Sequence, residues 1–198
     1  MRASEQNRPD ILRARRLWVR RQGALDPSRL VFLDESGAKT NLTRLRGRAP
    51  RGERVVASVP HGHWKTLTMM SSIRLDGSTA CMTLEGATDT ESFRAYVQAI
   101  LVPTLRVGDI VVMDNLSPHK SDPTLALIRQ AGAQVMFLPA YSPDLNPIEL
   151  MWSKVKNKLR SAGARTLEQL LAAIAEALKQ ITPQNAMNWF AHCGYSFC

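Results

Sequence analysis

Cysteine is scarce: the 198-residue chain has three, at positions 81, 193 and 198, which cannot complete a disulfide framework. No apolar run approaches the roughly 20 residues that a membrane-spanning helix needs. The opening MRASEQNRPD has no apolar core of the kind a secretory signal carries. There is no Cys-x-x-Cys pair, so His61, His63, His192, Cys193 and Cys198 lack the spacing of a zinc site. Without a Gly-x-Ser-x-Gly elbow, a Ser/His/Asp hydrolase is not indicated either. Internal repeats and low-complexity segments are also missing. What remains is a soluble chain suited to a reducing cytoplasm, long enough for one main domain with short appendages.

Acidic residues are outnumbered, 17 against 26 basic ones, for a formal charge of +9. The excess is clustered. Residues 1–28 carry seven arginines against three acids, residues 44–54 five arginines against one, and residues 154–165 five basic residues against none. The rest of the chain is slightly acidic. Clustered Lys and Arg favour a polyphosphate surface through counterion release, although a solvated face would look the same in composition.

Hydrophobic periodicity divides the chain. A short basic helix is expected from Asp10, with Ile11, Ala14 and Trp18 on one side, ended by Asp26-Pro27. LVFLDES reads as a buried strand breaking into polar residues at Asp34. Lys39 to Val59 reads as a second strand, a basic loop and the start of a third. WKTLTMMSSI and STACMTL flank Leu75-Asp76-Gly77 as a hairpin. Thr88 and Glu91 have capping-box spacing, and Phe93, Tyr96, Val97, Ile100 and Leu101 form a helical stripe. DIVVMDN and AQVMFLP are two further strands, with a helix from Asp122-Pro123 between them. Asn146-Pro147 opens a helix through about Arg160, in which Ile148, Met151, Trp152, Val155 and Leu159 share a face. Thr166 with Gln169 starts another, with Leu167, Leu170, Leu171, Ile174 and Leu178 as its stripe, and Thr182-Pro183 starts a last short one. Antiparallel strands followed by alternating strands and helices indicate a mixed sheet with helices on its faces.

Two buried strands end in aspartate, at Asp34 and Asp114, and a third leads by a loop to Glu149 in the first turn of a helix. Mg²⁺ prefers such hard oxygen donors. A pair of ions can activate the attacking oxygen and stabilise the leaving oxygen of a phosphodiester displacement. Each acid also has a plain structural reading. A strand-terminal aspartate can simply mark the exit from the core, and Glu149 falls at N3 behind Asn146 and Pro147, where a capping glutamate is ordinary.

The wording around these acids is more specific than their spacing. LDES at 33–36, MDNLSPHK at 113–120 and LPAYSPDLNPIELMWSKVKNKLR at 138–160 resemble the three signature regions of DDE transposases. They are most similar to the IS six-thirty insertion-sequence family of the mariner superfamily. Between Asp114 and Glu149 lie 34 residues, the spacing seen in that family, and the likeness runs from about Val31 to Arg160. The resemblance implies an α/β fold of the ribonuclease H-like kind, a mixed sheet with helices on both faces. It implies that Asp34, Asp114 and Glu149 are the catalytic residues and bind two Mg²⁺ or Mn²⁺ ions. It further implies cleavage at transposon ends and strand transfer into target DNA, usually at a TA dinucleotide, by a DNA-bound homodimer in the bacterial cytoplasm, associated with the nucleoid.

Glu35 is the rival to Asp34, but the resemblance places the ligand at the aspartate. Asn115 and His119 match the rest of the second motif; orienting the site, touching DNA and a structural hydrogen bond at a turn all stay open. Trp64, Lys65, Lys154, Lys156 and Lys158 are candidates for DNA contact or for ordinary packing and a wet helix face. The proline-rich loop 139–147 is expected to rigidify the approach to Glu149. The expected organisation is a basic segment at 1–28, the catalytic domain at 29–163 and a helical extension at 164–198. An end-reading helix-turn-helix region is expected as an upstream partner, the chain being either the downstream frame of a split gene or a truncated copy. Two other classes compete: another ribonuclease H-like nuclease or integrase, and an inactive DNA-binding remnant.

Overall fold

The structure, a computed structural model, describes residues 4–195. Its sheet has the order β3-β2-β1-β4-β5, from β1 (Leu30–Lys39), β2 (Thr66–Arg74), β3 (Thr79–Glu85), β4 (Ile110–Met113) and β5 (Gln134–Phe137). The first three strands are antiparallel neighbours, while β4 runs parallel to β1 and β5 parallel to β4. Parallel pairs need crossover connections. These are α2 (Thr90–Tyr96), prolonged by the turns Val97–Leu101 and Val102–Thr104, and α3 (Asp122–Gln130). Among the described residues there are four more α-helices: α1 (Pro9–Gln22), α4 (Pro147–Ala162), α5 (Leu167–Lys179) and α6 (Pro183–His192).

Strand β1 is buried on both faces because its side chains alternate between two cores. Val31 and Leu33 join Phe93, Tyr96, Val97, Leu101 and Ile128 on the α2–α3 side. Leu30 and Phe32 join Ile148, Met151, Trp152 and Val155 of α4 on the other, together with Phe190 and Tyr195. Trp18 of α1 and Leu170 and Ile174 of α5 belong to this second core. The stripe of α4 predicted from periodicity is therefore the face it buries, and Gly163 ends the helix in the left-handed conformation (φ 61°). At the β2–β3 hairpin, Gly77 (φ 82°) passes so close to α6 that a Cβ there would meet the Thr182–Pro183 backbone at 2.9 Å.

Three local expectations need correction. No strand forms between Asn41 and Lys65. The arginines, glycines and prolines there have no alternating apolar face to bury, and Leu45 and Val56 are left exposed. Asp34 does not end its strand, since β1 continues to Lys39 against β2; only the pairing with β4 stops, at Phe32. The helix after β3 is capped by Asp89 and Ser92, not by Thr88 and Glu91.

At the opposite end of the sheet from the carboxylates, Arg74 closes β2 and Asp109 precedes β4. The Arg74 guanidinium donates to Asp109 Oδ2 at 2.5 Å and to the Thr104 carbonyl at 2.8 Å. Burial alone would raise the Asp109 pKa, but Arg74 and the Arg106 amide outweigh it and hold the carboxyl below its ordinary 3.8. Removing one partner of a buried pair strands the other charge, so Asp109→Asn should cost about 3–5 kcal/mol in denaturant unfolding. A depressed folded pKa stabilises the fold above the unfolded value of 3.8. That contribution should be lost as pH falls through the depressed folded pKa, so the stability gap between wild type and variant should narrow in acid.

Candidate active site

Where β4 ends, the sheet opens into a cavity of about 490 Å³ lined by Asp34, Asp114, Asn115, Tyr141, Asn146 and Glu149 among others. Each predicted acid arrives by a different element. Asp34 follows Leu33 in β1 and, by strand alternation, shares the α4 side with Phe32. Asp114 is the first residue past β4, and Glu149 sits in the first turn of α4.

Asn146 occupies the N-cap position of α4, yet its side chain makes no capping bond, and the expected capping box with Glu149 is absent. The Glu149 amide instead donates to the Asn146 carbonyl at 3.1 Å. The Asn146 Oδ1 is buried with no hydrogen-bond partner. Glu149 is thus not committed to its helix end.

The charges are unevenly balanced. Burial, and then the nearby Glu149 and Asp114, raise the Asp34 carboxyl to about 7, although the Glu35 amide donates to its Oδ1 at 2.8 Å. Burial, with Asp114 adding to it, also raises Glu149, against the pull of Lys156. Asp114 goes the other way: burial would lift it, but a hydrogen bond from His119 and one from the Leu116 amide lower it. His119 is fully buried, with Nδ1 2.7 Å from Asp114 Oδ1 and Nε2 3.4 Å from Glu35 Oε1. Burial disfavours its charge, but the two carboxylates raise it to about 9, so at neutral pH both ring nitrogens donate. Its ring lies 4.4 Å from that of Phe93.

Among the described residues no group of three or more His, Cys, Asp and Glu side chains stands ready to hold a metal ion. The three acids share a cavity, not a closed coordination sphere, as uncompensated like charges would. Their chemistry nevertheless suits a hard divalent cation.

The family model of the DDE superfamily endonucleases matches residues 29–171. The chain belongs to this family. The transposable element Tcb1 transposase of Caenorhabditis briggsae is 34% identical over 68 residues, a stretch covering 34% of this chain and 25% of that protein. The Mos1 transposase paired-end complex with left transposon end superposes with a TM-score of 0.73 at 16% identity, covering 96% of this chain and 61% of that one. The catalytic domain of Mos1 mariner transposase gives 0.65 at 12% identity, covering 96% of this chain and 90% of that domain. The DDE chain described here therefore has the ribonuclease H-like fold, and it spans less than two thirds of the first of these solved chains and a quarter of the Tcb1 protein.

Several residues around the cavity have roles that the sequence alone did not show. Arg15 of α1 donates to Ser142 Oγ at 2.7 Å and forms a two-pronged pair with Asp144 at 2.9 and 2.6 Å. Trp18 Nε1 donates to the Tyr195 hydroxyl, which donates to the Leu145 carbonyl. The proline-rich loop is thus fixed by both distant ends of the chain. Within it Tyr141 adopts φ 55°, rare for a residue with a Cβ, and stands half exposed at the cavity rim. Asn115 donates to the Leu138 carbonyl at 2.5 Å, a structural tie between the ends of β4 and β5. Lys154 is bound to the Gln180 carbonyl and Asn185, so it fastens α4 to α6 and is not a free cation for DNA. Lys39 lies over the Trp64 ring at 5.9 Å, and His61 and His63 are exposed in the loop.

A carboxyl whose folded pKa is raised supports the fold at low pH and opposes it once pH passes that value. With a chelator present at pH 8, Asp34→Asn should therefore be more stable than the wild type by on the order of 2 kcal/mol. The gain should vanish below about pH 4, where Asp34 is protonated folded and unfolded alike; equal stability of the two proteins at pH 8 would count against a buried, like-charged Asp34.

Proposed function

We propose that this chain is the catalytic part of a transposase, a divalent-metal-dependent polynucleotidyl transferase that cuts DNA at transposon ends and joins the freed strand to target DNA. The observation that carries this reading is the meeting of Asp34, Asp114 and Glu149 in one cavity on this fold. In this reading residues 29–163 are the catalytic unit, residues 164–198 a helical extension packed on it, and residues 1–28 a basic segment. Mos1 has been solved as a paired-end complex with Mg and with Mn. Asp34 and Asp114 would hold such ions, two of them in this proposal, from the rigid sheet, with Glu149 completing the site from α4. When bound, they supply Lewis-acid stabilisation of a phosphoryl oxygen and a more acidic water.

The chain's own groups set the geometry. Strand backbone keeps the two aspartates in place, and the loop held by Arg15 and Tyr195 brings in Glu149. Arg44 and Arg46, on the long loop after β1, share a groove with Arg160 at the far end of α4. Those cations suit a DNA backbone. Target joining at TA, a homodimer on DNA, an upstream end-reading half and action at the bacterial nucleoid belong to the same proposal. Among the described residues, no helix is long and apolar enough to cross a membrane.

Plasmid nicking in Mg²⁺ or Mn²⁺, and strand transfer once the chain is joined to an end-binding region, test this function. Asp114→Asn and Glu149→Gln should each abolish both reactions. Because Glu149 makes no capping bond, Glu149→Gln should change stability by well under the ~1 kcal/mol of a lost helix cap. Nicking without strand transfer on paired ends would favour another nuclease of this fold, and neither reaction under any metal would indicate an inactive remnant. Full activity of Glu149→Gln would remove that residue from the site.

A further inference from the structure

The second face of β1 carries an arrangement that the carboxylate cavity does not explain. Asp34 and Glu35 are adjacent in β1 and so leave the sheet on opposite sides. Glu35 lies on the side of α2, where the Phe93 ring packs against that of His119 at a tilt of 38°. His119 lies within the short helical turn Ser117–Lys120 after β4 and is fully buried. From there its ring reaches Glu35 on one edge and Asp114 on the other. On Asp114, both the imidazole and the Leu116 amide bond Oδ1. Among the described residues, Oδ2 takes no hydrogen bond and is left for the cavity that Asp114 lines.

We propose that His119 is a positioning residue for Asp114. Held by Glu35 and by the face of Phe93, it fixes the carboxylate rotamer so that one oxygen is anchored behind the sheet and the other is presented to a divalent cation. This rests on the proposed role of Asp114. A carboxylate ligand that is itself hydrogen-bonded pays no rotamer search on binding, and loss of such a partner lowers metal affinity or activity by about 10- to 100-fold. A purely structural histidine would matter through its ring volume instead.

Two substitutions separate these roles. His119→Phe keeps the aromatic volume against Phe93 and removes the donor to Asp114. His119→Asn loses the ring but keeps an amide N–H close to the place of Nδ1–H. Mn²⁺ binding by the full chain, followed by electron paramagnetic resonance, and Mn²⁺-dependent plasmid nicking are the readouts, with thermal unfolding alongside. Expected is a loss of about 10- to 100-fold in Mn²⁺ affinity for His119→Phe, with His119→Asn recovering most of it despite lower thermal stability. Glu35→Gln, which still offers an acceptor to Nε2–H, should lose only a few-fold. If His119→Phe binds Mn²⁺ like the wild type, or binds it better than His119→Asn, the proposal is overturned and the histidine is a packing residue. Asp114→Asn is the control for the site itself. If it leaves Mn²⁺ binding and nicking intact, the reading of Asp114 fails and the role of His119 falls with it; if Asp114→Asn is inactive while His119→Phe is normal, only the positioning role fails.

Discussion

The parity of β1 at the point where β4 stops governs the rest of the site. Leu30 to Leu33 are buried alternately in two cores, so the strand cannot slip by one residue without turning every apolar side chain to the wrong face. That requirement sends Asp34 to the side of α4 and Glu35 to the side of α2. Beyond Phe32 the parallel neighbour is gone, which opens the space that the cavity fills. Two acids adjacent in sequence are thereby given different surroundings. One faces the cavity and other carboxylates, the other a buried imidazole.

Those surroundings drive the carboxyl groups apart electrostatically. Asp114 is held ionised by His119, whereas Asp34 has burial and like charge against it, and the Glu35 amide and, more weakly, the His119 charge do not outweigh them. The result is a site that is under-neutralised on its cavity side and balanced behind the sheet. Stability of the folded chain and readiness to accept positive charge are opposed at Asp34, as is common where a fold keeps polar groups for chemistry.

The fold was legible wherever burial imposes a period. The stripes of α2, α4 and α5, apart from the exposed Leu171, the β2–β3 hairpin and the three strands that precede the acids could be read directly, whereas Asp34, Asp114 and Glu149 are grouped by the resemblance of the motifs around them and line one cavity in the structure. What escaped depends on contacts between distant residues. Nothing near Arg15 or Tyr195 indicates that they brace residues 141–145. The capping function assigned to Asn146 was reasonable from residue type but not realised, and the Thr88–Glu91 spacing lost to Asp89 and Ser92 one residue later. Between Asn41 and Lys65 the alternation of arginine with glycine and proline imitated strand spacing without any face to bury. His119 could be noticed in its motif, but its link to Glu35 spans 84 residues and depends on which face of β1 Glu35 takes.

The bracing of the proline-rich loop has a mechanical side. Gln6 donates to the Tyr141 carbonyl, Arg15 grips Ser142 and Asp144, and Trp18 acts on Leu145 through the Tyr195 hydroxyl. Helix α1 therefore lies along the loop as a splint with attachment points on both sides of its bend. A displacement of that helix would pull on residues 142–145, which lead directly into α4 and Glu149. Leverage on the third carboxylate is thus available from the surface of α1, far in sequence from the acid it would move.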